Sequence, residues 1–194
     1  MNYLAHTFLS GENPKLIVGG VIADAIKGNH LDIYEKDIAL GIKLHRAIDQ
    51  YTDSNDIVHH SKERLYGKYH KYAGVIVDMF YDHFLAKNWN DYSTISLEQT
   101  AYNTYGLLLK HHSILPPKII RMLPFMIYYN WFVSYADINK LSLHFQGMAK
   151  RTTFVSGMEN VTEDLYNDYS LYEEEFKHFF PQVIDFANKY LKIE

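Results

Sequence analysis

The sequence predicts an all-α protein with a single domain, and three observations lead to this fold class. Apolar residues recur with helical periodicity in nearly every segment of the 194-residue chain. Strand-like alternation bounded by hairpin turns is absent. No repeat, low-complexity tract or linker divides the chain, whose length suits one hydrophobic core. We therefore expect one helical domain over residues 1–194.

The first half of the chain shows the helical periodicity most clearly. In residues 15–27, Val18, Val21, Ile22 and Ala25 repeat at helical spacing. The stretch "SNDIVHHSKERLYGKY" begins with helix-capping residues, which predicts a helix start near residue 55. The predicted helices in this half lie at 15–27, 35–53, from about 55, and 72–88.

The second half is predicted to be helical as well, with two interruptions. A helix is expected over about 95–111, and "LPP" at 115–117 begins the next one because proline suits a first turn. Pro124 is expected to kink or interrupt that helix, since it lacks an amide hydrogen. The acidic, tyrosine-rich tail at about 158–191 is expected to break at Pro181.

Composition and charge narrow the class of function. The net charge of −4 gives no global basic field, so nucleic acid is not an expected partner. Zero cysteines exclude disulfides and thiolate metal ligands. The N-terminus lacks a signal-peptide pattern and no segment is apolar enough to cross a membrane, so we expect a cytoplasmic protein without membrane insertion. The oligomeric state stays open.

Acidic residues and histidines interrupt several apolar stripes. In residues 35–53, Ile38, Ile42, His45 and Asp49 share one face of the predicted helix, so that its lower half carries possible metal ligands. Histidine and aspartate at this i, i+4 spacing can share one cation or one hydrogen bond. A structural ion pair is an equally good interpretation of this pair.

The stretch "AGVIVDMFYDHFLA" raises a sharper question about charge. Asp78 and Asp82 lie one helical turn apart, where like charges repel, and His83 follows directly. A divalent cation would turn this repulsion into coordination, since hard cations favour carboxylate oxygen and accept imidazole nitrogen. A solvated helix face is the alternative. Asp24 in "GGVIADAIKG" and His6 in "NYLAH" are further isolated polar residues that alone would indicate a cap and a core histidine.

Several ordered segments resemble the bacterial acyl carrier protein phosphodiesterase family. The segments are "MNYLAH", "GGVIADAIKG", "GIKLHRAIDQYTDS", "YAGVIVDMFYDHFLAKNW" and "GMAKR". They match in order and approximate spacing from Met1 to about Arg151. Together they are far more specific than any one of them alone.

The resemblance implies a helical hydrolase distantly related to HD-type metal-dependent phosphohydrolases. Members remove 4′-phosphopantetheine from holo acyl carrier protein with a divalent cation, typically manganese, although magnesium or another divalent ion is also possible. The usual His-Asp doublet is reversed here, as Asp82-His83. Mapped by the family's segments, the expected metal ligands are Asp24, His45, Asp82, His83 and His6.

The resemblance also suggests roles for the remaining polar residues. Asp49 or Asp78 is expected to act as general base, as an unligated carboxylate beside the metal. Arg46, Lys150 and Arg151 are candidates to bind phosphate. Because acyl carrier protein is small and very acidic, docking requires a local basic surface on this acidic chain. The candidates for that surface are Lys118, Arg121, Lys140, Lys150 and Arg151, and a tyrosine-lined groove is expected to take the pantetheine arm.

Two other functions stay open at the level of sequence. An HD-type phosphohydrolase acting on a nucleotide or another small phosphoester would keep the metal and change the substrate. A helical protein that binds acyl carrier protein without hydrolysing it would use the same polar residues as a structural network. Bound metal distinguishes the enzymes from the binding protein.

Overall fold

The computed structural model describes residues 1–193, and it confirms the all-α fold class. The described residues form α-helices joined by short 3-10 turns, with no β-strand among them. The helices are α1 (Tyr3–Leu9), α2 (Pro14–Ile22), α3 (Lys36–Asp53), α4 (Asp56–Tyr69), α5 (Ala73–Lys87), α6 (Leu97–Lys110), α7 (Pro117–Tyr128), α8 (Trp131–Ser134), α9 (Ile138–Ala149), α10 (Val161–Asn167) and α11 (Tyr169–Ile193).

Side-chain caps begin several of these helices, as the sequence indicates. The Asn55 side chain accepts a hydrogen bond from the Ile57 amide at 3.0 Å, which begins α4 at the predicted position. In the same way, the Ser96 side chain accepts a hydrogen bond from the Gln99 amide at the start of α6, and the Asp137 side chain accepts one from the Asn139 amide at the start of α9. Each cap satisfies an amide that has no partner within its helix, which is worth about 1 kcal/mol.

The predicted break at Pro181 was wrong, and Pro124 does not interrupt its helix. Helix α7 continues through Pro124 to Tyr128, and the chain turns only at Asn130, which has a left-handed φ of 42°. Helix α11 likewise continues through Pro181 to Ile193. Both prolines are exposed, so the carbonyl that each leaves without an intrahelical partner can bind water.

Helix α5 is the central element of the core. Of its 15 residues, 11 are buried, including Phe80, Tyr81 and Phe84. The helix packs against α1, α4 and α11, and phenylalanine and tyrosine rings fill the space between it and α11. Because α5 is enclosed by other helices, its polar residues must find partners inside the protein.

Two glycines allow α2 and α3 to approach very closely. A Cβ atom on Gly19 would lie 2.2 Å from the Ile38 carbonyl oxygen, and one on Gly41 would lie 2.3 Å from the Leu16 carbonyl oxygen. Real Cβ atoms do not approach so closely, so any larger residue would push the helices apart. This contact holds the middle of α2 against the first two turns of α3, one turn before His45.

Among residues 1–193, no helix combines the length and the apolar character that a membrane crossing demands.

Candidate metal centre and active site

Two stacked imidazoles and one carboxylate form the centre of the candidate site. The rings of His6 and His45 are nearly parallel, with centroids 3.6 Å apart and an interplanar angle of 15°. Asp49 lies beside both rings: its Oδ1 is 3.1 Å from His6 Nε2, and its Oδ2 is 3.1 Å from His45 Nε2. One carboxylate therefore bridges two histidines from different helices.

Each member of this group is placed by its helix. His6 lies on α1, whereas His45 and Asp49 lie one turn apart on α3 and so point the same way. The short 3-10 turn after α2 brings Asp24 to the same place, with Oδ1 3.2 Å from His45 Nε2. Residues that are 18 to 43 positions from His6 in sequence thus converge because α1, α2 and α3 pack together.

A backbone carbonyl fixes the orientation of His45. Its Nδ1 donates a hydrogen bond to the Gly20 carbonyl oxygen at 2.8 Å. The Nε2 atom is therefore the one that faces Asp24 and Asp49. This arrangement is typical of a metal-binding histidine, whose second nitrogen is held by a carbonyl or carboxylate.

The two histidines have opposite electrostatic environments. Burial lowers the pKa of His45, but hydrogen bonds and charge from Asp24 and Asp49 outweigh it and raise this pKa to about 9. Burial and the neighbouring His45 lower the pKa of His6 to about 4, although Asp49 opposes this shift. Burial raises the pKa of Asp49, yet its bonds to both histidines dominate and leave that pKa well below its ordinary value. Without a cation, His45 is protonated at neutral pH and His6 is neutral.

The donor atoms fit a divalent cation. One ligand atom from each of His6, His45 and Asp49 lies within 4.8 Å of the others, so the three can coordinate one ion. The buried Nδ1 of His6 has no hydrogen-bond partner among the described residues, which leaves a polar atom unsatisfied in the metal-free arrangement. Imidazole nitrogen and carboxylate oxygen are both common ligands of divalent metal ions.

Asp78 and Asp82 each have a partner other than a cation. The α-amino group of Met1 lies 2.9 Å from Asp78 Oδ1 and 3.7 Å from Asp49 Oδ1, so it links Asp78 to the candidate site. Burial lowers the pKa of this amino group, but the surrounding carboxylates outweigh burial and raise the pKa. The repulsion between Asp78 and Asp82 is thus relieved by positive charge from the backbone.

Asp82 caps the N-terminus of α1. Its fully buried carboxylate accepts hydrogen bonds from the amides of Asn2, Leu4 and Ala5 at 3.3, 2.9 and 3.3 Å. Burial raises the pKa of Asp82 to about 7, while the α-amino group and these amides oppose the shift. The structure therefore gives Asp82 a supporting position behind α1, and it does not bring Asp82 into the group formed by His6, His45 and Asp49.

His83 lies in a different environment, near α11. Its Nδ1 is 2.7 Å from the Tyr135 carbonyl oxygen, and its Nε2 is 2.9 Å from the Tyr169 hydroxyl. Lys87 also donates to that hydroxyl, and burial lowers the pKa of His83. Both ring nitrogens are occupied, so the structure does not bring His83 together with the other predicted ligands.

The three predicted phosphate-binding residues are also separated. Arg46 donates to Asn29 Oδ1 at 3.1 Å and to the Ile26 carbonyl at 3.0 Å, so it holds the loop that follows Asp24. Lys150 and Arg151 are exposed at the end of α9, where Arg151 Nε donates to the Gly147 carbonyl. Arg46 therefore holds this loop in place beside the site, whereas the exposed side chains of Lys150 and Arg151 can contact a substrate.

Sequence reasoning missed two backbone groups that position the site. The Gly20 carbonyl orients His45, and the Met1 α-amino group binds Asp78. Periodicity of side chains carries no signal for either group. The small residues at Gly19, Gly20 and Gly41 were the one available hint, because they indicate a close backbone approach.

Comparison with known proteins agrees with the resemblance in sequence. Residues 1–183 match the family described as acyl carrier protein phosphodiesterase. The chain is 28% identical over 188 residues to the acyl carrier protein phosphodiesterase of Photorhabdus laumondii, covering 96% of this chain and 95% of that protein. It is 27% identical to the protein of the same name from Serratia proteamaculans, covering 96% and 97%, and 26% identical to one from Escherichia coli O45:K1, covering 97% and 98%. No solved structure matches. Since the match extends over residues 1–183, which include the candidate site, the chain belongs to the acyl carrier protein phosphodiesterase family.

Proposed function

We infer that this protein is a phosphoric diester hydrolase that removes 4′-phosphopantetheine from holo acyl carrier protein, and we propose that the reaction depends on a divalent cation. The family and the relatives, which share this name over nearly their full lengths, support the substrate. The observation that carries metal dependence is the carboxylate of Asp49 bridging the stacked rings of His6 and His45.

The reaction consumes one water molecule for each prosthetic group released. A water oxygen forms a bond to phosphorus while the bond from phosphorus to the carrier protein's oxygen breaks. The water loses a proton and the carrier protein's oxygen gains one, which yields the apo protein and free 4′-phosphopantetheine. The chemistry therefore requires a base for the water and relief of charge on the phosphoryl oxygens.

We propose that His6, His45 and Asp49 hold the cation, with Asp24 as a fourth protein ligand. Asp24 is 3.2 Å from His45 Nε2 and half exposed, so it lies between the buried group and solvent. A divalent cation bound there would activate water and neutralise phosphoryl charge. Manganese is the ion we propose, because the family resemblance implies it and carboxylate oxygen suits it.

The other acidic residues support this group. Asp78 is the carboxylate we propose as general base, since the α-amino group of Met1 holds it next to Asp49 and 28% of its side chain is exposed. Asp82 holds the first turn of α1 in place and so positions His6. In this proposal Asp49 changes from a base to a ligand, and Asp82 changes from a ligand to a positioning residue. His83 has no part in it, and the distant relation to HD-type phosphohydrolases stays a proposal.

The mass of the carrier protein tests the substrate directly. Holo acyl carrier protein is incubated with the enzyme and manganese, and its intact mass is followed by mass spectrometry. We expect the mass to fall by that of the prosthetic group, with free phosphopantetheine as the second product. An unchanged mass together with turnover of a nucleotide would favour the small-phosphoester alternative. Binding of the carrier protein without any turnover would favour the interaction protein.

Substitutions in the centre test the metal. We expect His45→Ala and Asp49→Ala each to lower bound manganese and to reduce activity at least about a hundredfold, while circular dichroism stays that of a helical protein. His59→Ala is the matched control, because His59 is an exposed histidine on α4. If both variants keep wild-type metal content, the proposed ligand set is incorrect.

A further inference from the structure

The positive charge of this acidic chain is concentrated in one segment. Residues 110–151 contain six lysines and arginines and a single acid, Asp137, and so carry a net charge of +5. The whole chain carries −4, which means that the remaining residues are strongly acidic. Such segregation creates a local field that attracts an acidic partner despite the overall charge. The cations are Lys110, Lys118, Arg121, Lys140, Lys150 and Arg151.

Four of these six cations lie in or beside an apolar groove between α7, α8 and α9, which we call the α7–α9 groove. It has a volume of about 530 Å³ and is lined by Met122, Phe125, Trp131, Leu143, Gly147 and Arg151, among others. Phe125 and Leu143 are 58% and 64% exposed. Apolar side chains that are exposed together around a concave surface mark a binding site more often than chance exposure.

The cations lie at the rim of the groove. Lys140 and Arg151 line it directly. Lys118 and Arg121 lie one turn before Met122 and Phe125 on α7, and so they share the face that these two residues present to the groove. An apolar centre with a charged rim is the common form of a protein-binding surface.

The inner wall of the groove leads toward the candidate metal centre. The Trp131 ring packs against the ring of Tyr3, with centroids 6.5 Å apart. Burial and the charge of Asp24 raise the pKa of Tyr3, while Arg151 opposes them. Tyr3 also lies on α1 three residues before His6, so its side chain shares a helix face with that member of the centre. One side chain thus connects the two regions.

The groove also contains a neutral polar pair. His144 Nε2 lies 2.7 Å from the Ser134 hydroxyl, and both residues line the groove. Burial and the charge of Arg151 lower the pKa of His144 to about 4, so its ring is uncharged at neutral pH. This wall therefore offers hydrogen bonds without charge, which suits a ligand of amides and methylenes.

We propose that the α7–α9 groove binds the pantetheine arm of holo acyl carrier protein while the cationic rim binds the acidic surface of the carrier protein itself. This proposal rests on the proposed function, and it adds the position of the substrate on the protein. The arm lies along the apolar groove past Arg151 and Tyr3, and its phosphate reaches the centre beside Asp24. The carrier protein remains outside, on Lys118, Arg121 and Lys140.

Reversing the charge of two rim residues tests whether the cationic rim binds the carrier protein. The double variant Lys118→Glu/Arg121→Glu is compared with Lys177→Glu/Lys192→Glu, which reverses two cations on α11 away from the groove. We expect the rim variant to raise the Kd for apo acyl carrier protein at least about tenfold at low salt and to flatten its dependence on sodium chloride. The control is expected to stay within about twofold of wild type. Equal effects of the two variants would overturn docking on this face.

A larger side chain in the α7–α9 groove tests whether the pantetheine arm binds there. Gly147 and Gly67 are both helical glycines with nothing within 4 Å of an added Cβ, so the Cβ of a leucine meets no clash at either position. Gly147 lines the groove, whereas Gly67 lies on α4. We expect Gly147→Leu to raise the KM for holo acyl carrier protein at least about tenfold and Gly67→Leu to leave it unchanged, although both replace a helical glycine with a better helix former. A KM within twofold of wild type for Gly147→Leu would overturn the groove assignment.

These readouts separate the proposal from the proposed function. If the wild-type protein releases no prosthetic group, the proposed function fails. The affinity of the wild-type and Gly147→Leu proteins for intact holo relative to apo carrier protein then still measures the groove. Sedimentation checks a different occupant: a wild-type dimer that Gly147→Leu dissociates would show that a second copy of the chain covers this face, and it would overturn the proposal.

Discussion

Replacing Asp82 by leucine tests whether this carboxylate supports α1 or binds metal. The substitution replaces the buried carboxylate with an apolar side chain and leaves the amides of Asn2, Leu4 and Ala5 without their acceptor. The Leu4 and Ala5 bonds are buried, and an unsatisfied buried amide costs about 1–3 kcal/mol. Together with the lost charge opposite the α-amino group of Met1, we expect the free energy of unfolding to fall by about 3–5 kcal/mol.

The assay is urea unfolding of the metal-free protein, followed by circular dichroism after treatment with a chelator. With an m-value of about 2 kcal/mol/M, a loss of this size lowers the unfolding midpoint by about 1.5–2.5 M. Asp185→Leu is the matched control: Asp185 is an exposed aspartate on α11 that pairs with Lys189 on the surface, so we expect a change within about 0.5 kcal/mol.

The two roles of Asp82 predict opposite results. If Asp82 were mainly a metal ligand, Asp82→Leu would lose metal while the metal-free protein stayed as stable as wild type, and our reasoning would be refuted. Should Asp82→Leu fail to fold, Asp82→Asn provides the measurement. It keeps one oxygen acceptor for the Leu4 amide, so we expect about half the loss of stability.

Three further predictions concern the neighbourhood of His45. Gly41→Ala places a Cβ atom 2.3 Å from a carbonyl oxygen of α2, so we expect the free energy of unfolding in urea to fall by about 1–3 kcal/mol and the activity to decrease. Gly67→Ala is the control, because the space around Gly67 is open, and we expect it to be neutral or slightly stabilising. In the metal-free protein, NMR titration should give His45 a pKa of about 9, and Asp24→Asn should lower it because a negative charge is removed. Since this pKa is raised from 6.5, the stability that it contributes is complete below about pH 6.5 and is lost as the pH rises through about 9; a flat profile of stability in this window would contradict the assignment.

The fold class and most helices followed from the sequence because they depend on local order along the chain. The repeat of apolar residues defined α3 and α5, and the capping side chain of Asn55 defined the start of α4. Local propensity treats Pro124 and Pro181 as helix breakers, but both helices continue through them. Each proline removes one helical hydrogen bond, and packing on the buried side of the helix and water on its exposed side compensate for that loss.

The candidate site shows where this local information ends. His45 and Asp49 share a helix face by sequence spacing alone, so their pairing was predictable. His6, which alone would indicate a core histidine, lies in the centre because α1 packs against α2, which in turn packs against α3. His83 lies elsewhere although it follows Asp82 directly. Adjacent residues on a helix diverge by about 100°, so a shared motif does not imply a shared site.

The sequence by itself determined an all-α chain with acidic and imidazole side chains inside apolar helices, and it identified the family. Only the tertiary structure decided which of those side chains meet. The close approach at Gly19 and Gly41 brings α2 against α3, and the backbone groups of Met1 and Gly20 become partners of Asp78 and His45. The physical reason is that a buried charge takes the nearest group able to compensate it, and in a folded chain that group is often a backbone atom distant in sequence.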